Sequence, residues 1–519
     1  MSECALEQMF MSEKQSFLGA LKWSYIGTWS ERGFASLLTI VLAAVLGPKD
    51  FGLMATGLIV ILFMQMILEQ GLTAALIQRP DLDQKHCDTV FWINLCLSLI
   101  LMIVTIAFSS WWARLNHAPE LGRLLSVMSL SLPLEGLSIV QVALLRRQMR
   151  FKSLSIRATA STVTGGLVGI AMAFGGFQAW SLVGQQLTDR VVAFGLLWNF
   201  GTWRPKFDFS WKHLRDLMPF SFNNFLAQLG TYADFQAGFI LLGLLFGPVA
   251  VGLYRLADRF VASILSMAVA SIQVVSLPQF SRVQDRPEEL RQTALACVRL
   301  STAATAPILA GMAAASGDIM AVLGPKWIPA TNVFIVLCLV GMIAQLSYFT
   351  GPLLQALGRT RDAAILEWAR TGTGVVFLIV TSFFVHNLSE GGEVTAIALA
   401  RFASTAAVFT PIFVYILMRI CDISNKEFFS AIGGSVLAAA GVAAVVLCLR
   451  FAGLEGGSSP LAQVFTKAVI GGSTGIVILV LADRDIFDLL QKLLRLEGSF
   501  SSLRRSKQAT PQARDRTNN

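Results

Sequence analysis

Leu46-Gly47-Pro48-Lys49-Asp50-Phe51-Gly52-Leu53 recurs as Phe246-Gly247-Pro248-Val249-Ala250-Val251-Gly252-Leu253, at an offset of 200 residues. Both glycines, the proline and the leucine match. Each copy follows one long apolar run and precedes another, and Gly-Pro between such runs is a turn signal. A turn joining two apolar spans, met twice, predicts a duplicated membrane bundle.

The composition agrees. Of 519 residues, 55% are hydrophobic and 14% charged, against roughly 25% charged in a soluble domain. Apolar runs of about 20 residues, long enough to cross a bilayer as helices, recur from Trp23 to Leu481. The short alternating segments of a membrane barrel are lacking. The fold class read here is an all-α polytopic membrane protein. Residues 1–16 are polar and lack the pattern of a cleaved signal peptide, so the first span is read as retained. Met11 offers a second possible start. The seven cysteines and four histidines are scattered without ligand spacing, so neither a disulfide framework nor a metal site is expected.

Turn signals divide the apolar runs into fourteen expected spans: 20–46, 52–77, 88–110, 122–145, 154–174, 178–199, 217–245, 249–277, 294–315, 331–356, 363–385, 393–418, 428–450 and 461–482. With the N-terminus inside, the basic residues fall on alternate loops. Arg79 and Lys85, Arg146 to Lys152, Arg204 to Arg215, Arg282 to Arg291, Arg359 and Arg361, Arg419 and Lys426, and the tail after Asp483 are all on one side. The other side holds little beyond Lys49, Arg114, Lys326 and Arg450. This is the bias of cytoplasmic loops. It accounts for the net charge of +9 and gives no reason to expect nucleic acid as a partner. Both termini are expected in the cytoplasm of a cell whose inner membrane holds the protein.

Six spans separate the two Gly-Pro turns, so the halves point the same way. The expected organisation is an N-terminal segment over 1–16, a six-helix lobe over 17–200 and a linker over 201–216. A second six-helix lobe follows over 217–419, then helices 13 and 14 over 420–482 and a tail over 483–519. The tail begins as an interfacial helix and ends in a polar stretch that reads as disorder. A ligand site is expected near the midplane between the lobes.

No phosphate loop, nucleotide fingerprint or nucleophile elbow occurs in the context it needs. The informative residues are ionisable groups inside spans, which are costly there unless they face a cavity or a partner. They are Glu31, Arg32, Glu69, Glu135, Asp189, Arg190, Asp234, Arg255, Asp258, Arg259, Arg299, Glu367, Arg370 and Arg401. Seven are arginines and seven are acids, so the interior is mixed and only locally cationic. Arg255 and Arg259, four apart, share a helix face; Asp258 is placed to neutralise Arg255, and Arg370 stands in the same relation to Glu367. The plainer reading of each is an internal ion pair or a side chain reaching the headgroups. The functional reading is that Arg32, Arg255 and Arg259 bind an anionic headgroup through the planar guanidinium fork. Glu31, Glu69 and Asp234 would then bind a coupling proton or Na+; no other cofactor is expected.

Leu46 to Leu53, Gly71-Leu72-Thr73-Ala74-Ala75-Leu76-Ile77-Gln78-Arg79, Gly252-Leu253-Tyr254 followed by Ala257, and Leu323-Gly324-Pro325-Lys326-Trp327-Ile328-Pro329-Ala330 resemble landmarks of the Wzx-type polysaccharide flippases. These belong to the multidrug/oligosaccharidyl-lipid/polysaccharide exporter superfamily. The similarity covers roughly 17–482. One departure stands out: Gln70 occupies the place before Gly71 where an acid is expected, and Glu69 precedes it. The resemblance implies two six-helix lobes around a central cavity, two extra helices, and no enzyme activity. It implies movement of a polyprenyl-diphosphate-linked oligosaccharide from the cytoplasmic to the periplasmic leaflet, for lipopolysaccharide or exopolysaccharide synthesis. The expected partners are that glycan lipid, the bilayer and the polysaccharide polymerase and export machinery. A cation-coupled drug antiporter of the same superfamily would need acids to dominate the cavity. A membrane glycan polymerase would need a large extramembrane loop, whereas every loop expected between these spans is short.

Overall fold

The computed structural model describes residues 30–69, 76, 82–148, 150–201, 203–385, 390–452 and 459–482. Within these, the side chains at 212–228, 230–231, 233–235, 270–271, 274–275, 360 and 390 are not described. The N-terminal segment, the start of span 20–46, Gln70 and nearly all of the Gly71–Arg79 stretch, and the tail from 483 therefore lie outside the described residues. So does the side chain of Asp234.

Every regular element among the described residues is a helix. Ten of these helices are long and apolar enough to cross a membrane, or eleven if Pro119–Gly136 and Ile139–Arg147, bent by 42°, form one broken span. This is the polytopic helical membrane fold that the apolar runs predict.

The details differ where backbone chemistry overrides hydropathy. The expected span 122–145 is three pieces: Pro119–Met128, Ser131–Gly136 and Ile139–Arg147. Pro133 in the middle piece lacks an N–H and crowds the preceding turn. The expected loop at 246–248 shrinks to one residue. Helix runs from Trp211 to Ala268 with a single break at Gly247 (φ 76°). Only glycine accepts that backbone without strain. The expected span 331–356 is Thr331–Ala344, a 3-10 turn over Gln345–Ser347, and Thr350–Ala356.

The chain forms two compact units. The larger comprises Met1–Met267, Ser316–Val340 and Thr360–Phe409. In it the two copies of the repeated octapeptide meet. A Cβ on Gly52 would run into the carbonyl of Pro248, and one on Gly252 into the carbonyl of Pro48. The two starts, Pro48 and Pro248, are thus set backbone to backbone. Asp50 anchors the first copy, accepting the Gly47 N–H at 3.1 Å; Pro48 opens the helix, where its missing N–H costs nothing. The third Gly-Pro turn closes on the first. Trp327 is fully buried, donates its indole N–H to the Ala43 carbonyl at 2.7 Å, and meets Phe51 edge-on at 5.4 Å between centroids.

In the same unit the segment 203–210 is held to the start of the Gln84–Leu115 helix. Asp88 accepts the Lys206 N–H at 3.0 Å, Trp92 donates to the Lys206 carbonyl at 2.8 Å, and Thr89 accepts the Ser210 N–H at 3.2 Å.

The smaller unit comprises Ala268–Ala315, Gly341–Arg359 and Thr410–Asn519. Here Pro287–Ala314 packs on Asn425–Phe451 and Pro460–Ala482 through small residues. Gly311, Gly471 and Gly475 surround Val442, and a Cβ on any of them would lie 3.0–3.3 Å from its side chain. This is how membrane helices approach closely without a hydrophobic driving force. At the helix starts, Ser424 and Glu427 form a capping box, and Arg291 bridges Glu288 at 2.7 Å and Glu427 at 3.2 Å.

Candidate functional site

The paired turns fix where the charged groups fall. Arg255 sits three residues beyond Gly252 and Arg259 one turn further, on the helix that begins at Pro248. The stripe continues through Ser263, which donates to the Arg259 carbonyl at 2.7 Å, and Ser266, which donates to the Ser263 carbonyl at 2.9 Å. Both serines thereby spend their hydroxyls on their own helix. Arg32, on the helix over 30–45, donates through Nη1 to the Ser266 carbonyl at 3.2 Å. Of the three arginines the sequence grouped, Arg32 reaches the helix that carries Arg255 and Arg259 at Ser266. Ser266 lies two turns past Arg259, roughly 10 Å along the axis.

The partner expected for Arg255 is different. Asp258 forms its ion pair with Arg401, at 3.9 Å, and that guanidinium also donates to the buried Tyr254 hydroxyl at 3.1 Å. Arg255 lies over the ring of Phe239, 4.3 Å from its centroid, a cation–π contact. Asp258 stays within Coulombic range of Arg255, as the i, i+3 spacing allows, while its direct ion pair is with Arg401. Arg259 is exposed and makes no ion pair or side-chain hydrogen bond among the described residues. The site is a short cationic stripe with one stacked, one open and one docked guanidinium.

A second cluster joins several helices of the same unit. Glu135 and Arg190 form an ion pair at 2.7 Å. Glu31 lies within Coulombic range of Arg157, Asp189, Arg32 and Arg190, and Glu69 of Glu135, Arg146 and Arg190. Ser30 and Thr159 are 3.0 Å apart, tying the first helix to Phe151–Phe174. Gly165 lets the neighbouring helix approach at Asp189, whose Cβ lies 3.1 Å from where a Gly165 Cβ would be. Arg157 was not among the residues the sequence singled out. It falls three residues inside the expected span 154–174, where an arginine reads as a headgroup contact; its buried Nε and its neighbours place it in the cluster. Glu31 and Glu69, the expected ion-coupling acids, are both exposed at its margin. Asp234 cannot be placed with them, because its side chain lies outside the described residues.

Among the described residues no three His, Cys, Asp or Glu side chains converge as for a metal. Cys421, in the turn before Asn425–Phe451, is buried, and burial pushes its thiol up to about 12.

A protein-family model described as "Polysaccharide biosynthesis protein" matches residues 41–332, over half of the chain. The chain is 29% identical to the succinoglycan biosynthesis transport protein ExoT of Rhizobium meliloti (strain 1021), over 67% of this chain and 70% of that one. It is 24% identical to the lipopolysaccharide biosynthesis protein WzxC of Escherichia coli (strain K12), over 67% and 72%. Among solved structures, the lipid II flippase MurJ in an inward closed conformation is similar with a TM-score of 0.68, over 90% of this chain and 99% of that chain. At 12% identity this likeness is one of fold.

Proposed function

The chain belongs to the polysaccharide biosynthesis protein family, and on that footing we propose that it is a flippase. It carries a polyprenyl-diphosphate-linked oligosaccharide from the cytoplasmic to the periplasmic leaflet. The single observation behind this reading is the cationic stripe of Arg255 and Arg259 with Arg32 docked beside it. A diphosphate cannot cross hydrocarbon uncompensated, and guanidinium is the cation best shaped to take it. A cationic stripe is the wrong lining for a cationic drug. The protein acts as a transporter and not as an enzyme.

The topology that goes with this function has fourteen spans, lobes over 17–200 and 217–419, both termini cytoplasmic, and the inner membrane as location. The lobes rock about the bound diphosphate. A proton or Na+ taken by Glu31, Glu69 or Asp234 drives the cycle, and the polymerase and export machinery receives the product.

The test is in cells. Deleting the gene should stop surface polysaccharide and trap the lipid-linked oligosaccharide where a periplasmic probe cannot reach it. The wild-type chain should restore both, and Arg255→Ala should restore neither at equal protein abundance. Normal arrival of the glycan lipid in the outer leaflet without the protein would overturn the assignment.

A further inference from the structure

Among the described residues, Thr360–Val385 is the least covered of the helices long and apolar enough to cross a membrane; 6% of its apolar stretch is buried. Its two sides differ. Ile365, Trp368, Val376, Ile379 and Phe383 follow one another at spacings of three, four or eight residues and are all exposed, from 40% at Ile379 to 76% at Phe383. That is a stripe meant for lipid tails. The opposite side carries Ala363, Glu367, Arg370, Thr371, Gly374, Leu378 and Ser382. It packs at its two ends, where Ala363, Leu378 and Ser382 are buried. Leu378 reaches the Gly238 position, 3.6 Å from where a Cβ would be.

Between these ends the same side opens. Glu367 and Arg370 form an ion pair at 2.8 Å with side chains 49% and 29% exposed. Glu367 lies seven residues into the helix, roughly 10 Å along it. Glu367 is exposed and Arg370 half-buried with its Nε shut off from solvent, so the pair sits on the side of the helix that packs and not on the lipid stripe, where charge is costly.

Resting on the flippase reading above, we infer that the Glu367–Arg370 face lines the aqueous path and contacts the sugar hydroxyls of the glycan. The pair is net neutral, so it adds no attraction for a diphosphate. A carboxylate that accepts and a guanidinium that donates, fixed side by side, are matched to the vicinal hydroxyls of a sugar ring. The division of labour is then chemical: the Arg255–Arg259 stripe takes the phosphates and the Glu367–Arg370 face takes the carbohydrate.

Two arms test this. In the first, single cysteines at Thr371 and Gly374 are compared with cysteines at Val376 and Ile379, using an anionic, membrane-impermeant methanethiosulfonate on the full chain in membranes opened to both sides. Labelling is read against the parent chain. Because the reactive species is the hydrated thiolate, the inward pair should label at least about tenfold faster than the lipid-facing pair. Equal slow labelling of all four overturns the aqueous path, and does so even if the wild-type chain flips normally.

In the second arm, transport of the cell's own lipid-linked glycan is measured at matched abundance. Glu367→Gln and Arg370→Gln should each lower it several-fold. The double exchange Glu367→Arg with Arg370→Glu keeps the pair and should leave transport low. Full recovery in the double exchange makes the pair structural and overturns the sugar contact. A wild-type chain that moves no glycan lipid overturns the flippase reading instead, while the labelling arm still decides the path.

Discussion

Gly52 and Gly252 face each other backbone to backbone: a Cβ built on Gly52 would lie 3.1 Å from the Gly252 nitrogen, and one on Gly252 would lie 3.0 Å from the Gly52 nitrogen. Each would also strike the carbonyl of the other copy's proline. The obstacle on both sides is main chain, so no rotamer change can relieve it. The sequence repeat therefore forms a self-complementary joint between two helix starts, and Cα–H groups approach carbonyls as at other close helix contacts.

Gly52→Ala and Gly252→Ala should each destabilise the protein by about 1–3 kcal/mol, the usual cost of overpacking. The double variant should cost less than the sum, because one separation of the backbones admits both methyls. Gly195→Ala, where a Cβ meets nothing within 4 Å, should be neutral or slightly stabilising. Thermal unfolding in detergent, followed by fluorescence-detected size exclusion, measures all four. Equal tolerance of alanine at 52, 252 and 195 would remove the joint.

Trp327→Phe keeps the ring against Phe51 but loses the donor to Ala43, and should cost roughly 1 kcal/mol. Trp327→Ala empties a fully buried site and should cost about 3–5 kcal/mol. The spacing between the two losses is the prediction, read by the same unfolding assay. A Phe variant as damaged as the Ala variant would show that the hydrogen bond, not the packing, carries the site.

Asp258 and Arg401 should behave as a structural pair. Asp258→Asn and Arg401→Gln should each lower abundance, and Asp258→Arg with Arg401→Asp should recover part of it. Arg255, which stacks on Phe239 instead, should tolerate lysine in abundance but not in transport, since lysine lacks the bidentate fork. Arg255→Ala should transport less still. Transport by Arg255→Lys at the wild-type level would remove Arg255 from the phosphate contacts.

Topology reporters fused after Arg150, Arg286 and Arg361 should report cytoplasm, and those after Pro48, Gly176 and Pro248 periplasm. The basis is the one-sided placement of lysine and arginine. A single reproducible inversion within this set would change the number of crossings.

The sequence alone determined the class of fold and marked the two Gly-Pro turns, but not the breaks inside the expected spans 122–145 and 331–356. Hydropathy does this because hydrocarbon forces each buried backbone group to bond within its own helix, so apolar length translates directly into spans. The Gly247-Pro248 turn was legible for a local reason, since glycine holds φ 76° without strain, and the Gly47-Pro48 turn because proline suits a helix start. What needed the tertiary structure was every relation between helices. That the two octapeptides touch, that Arg401 rather than Arg255 takes Asp258, that Arg157 joins Glu31 and Asp189, and that the inward side of Thr360–Val385 opens at Glu367 all depend on which helices are neighbours and how they are rotated. Spacing along one helix fixes which side chains share a face. It carries no information about what lies opposite, because that is set by packing between segments far apart in the chain.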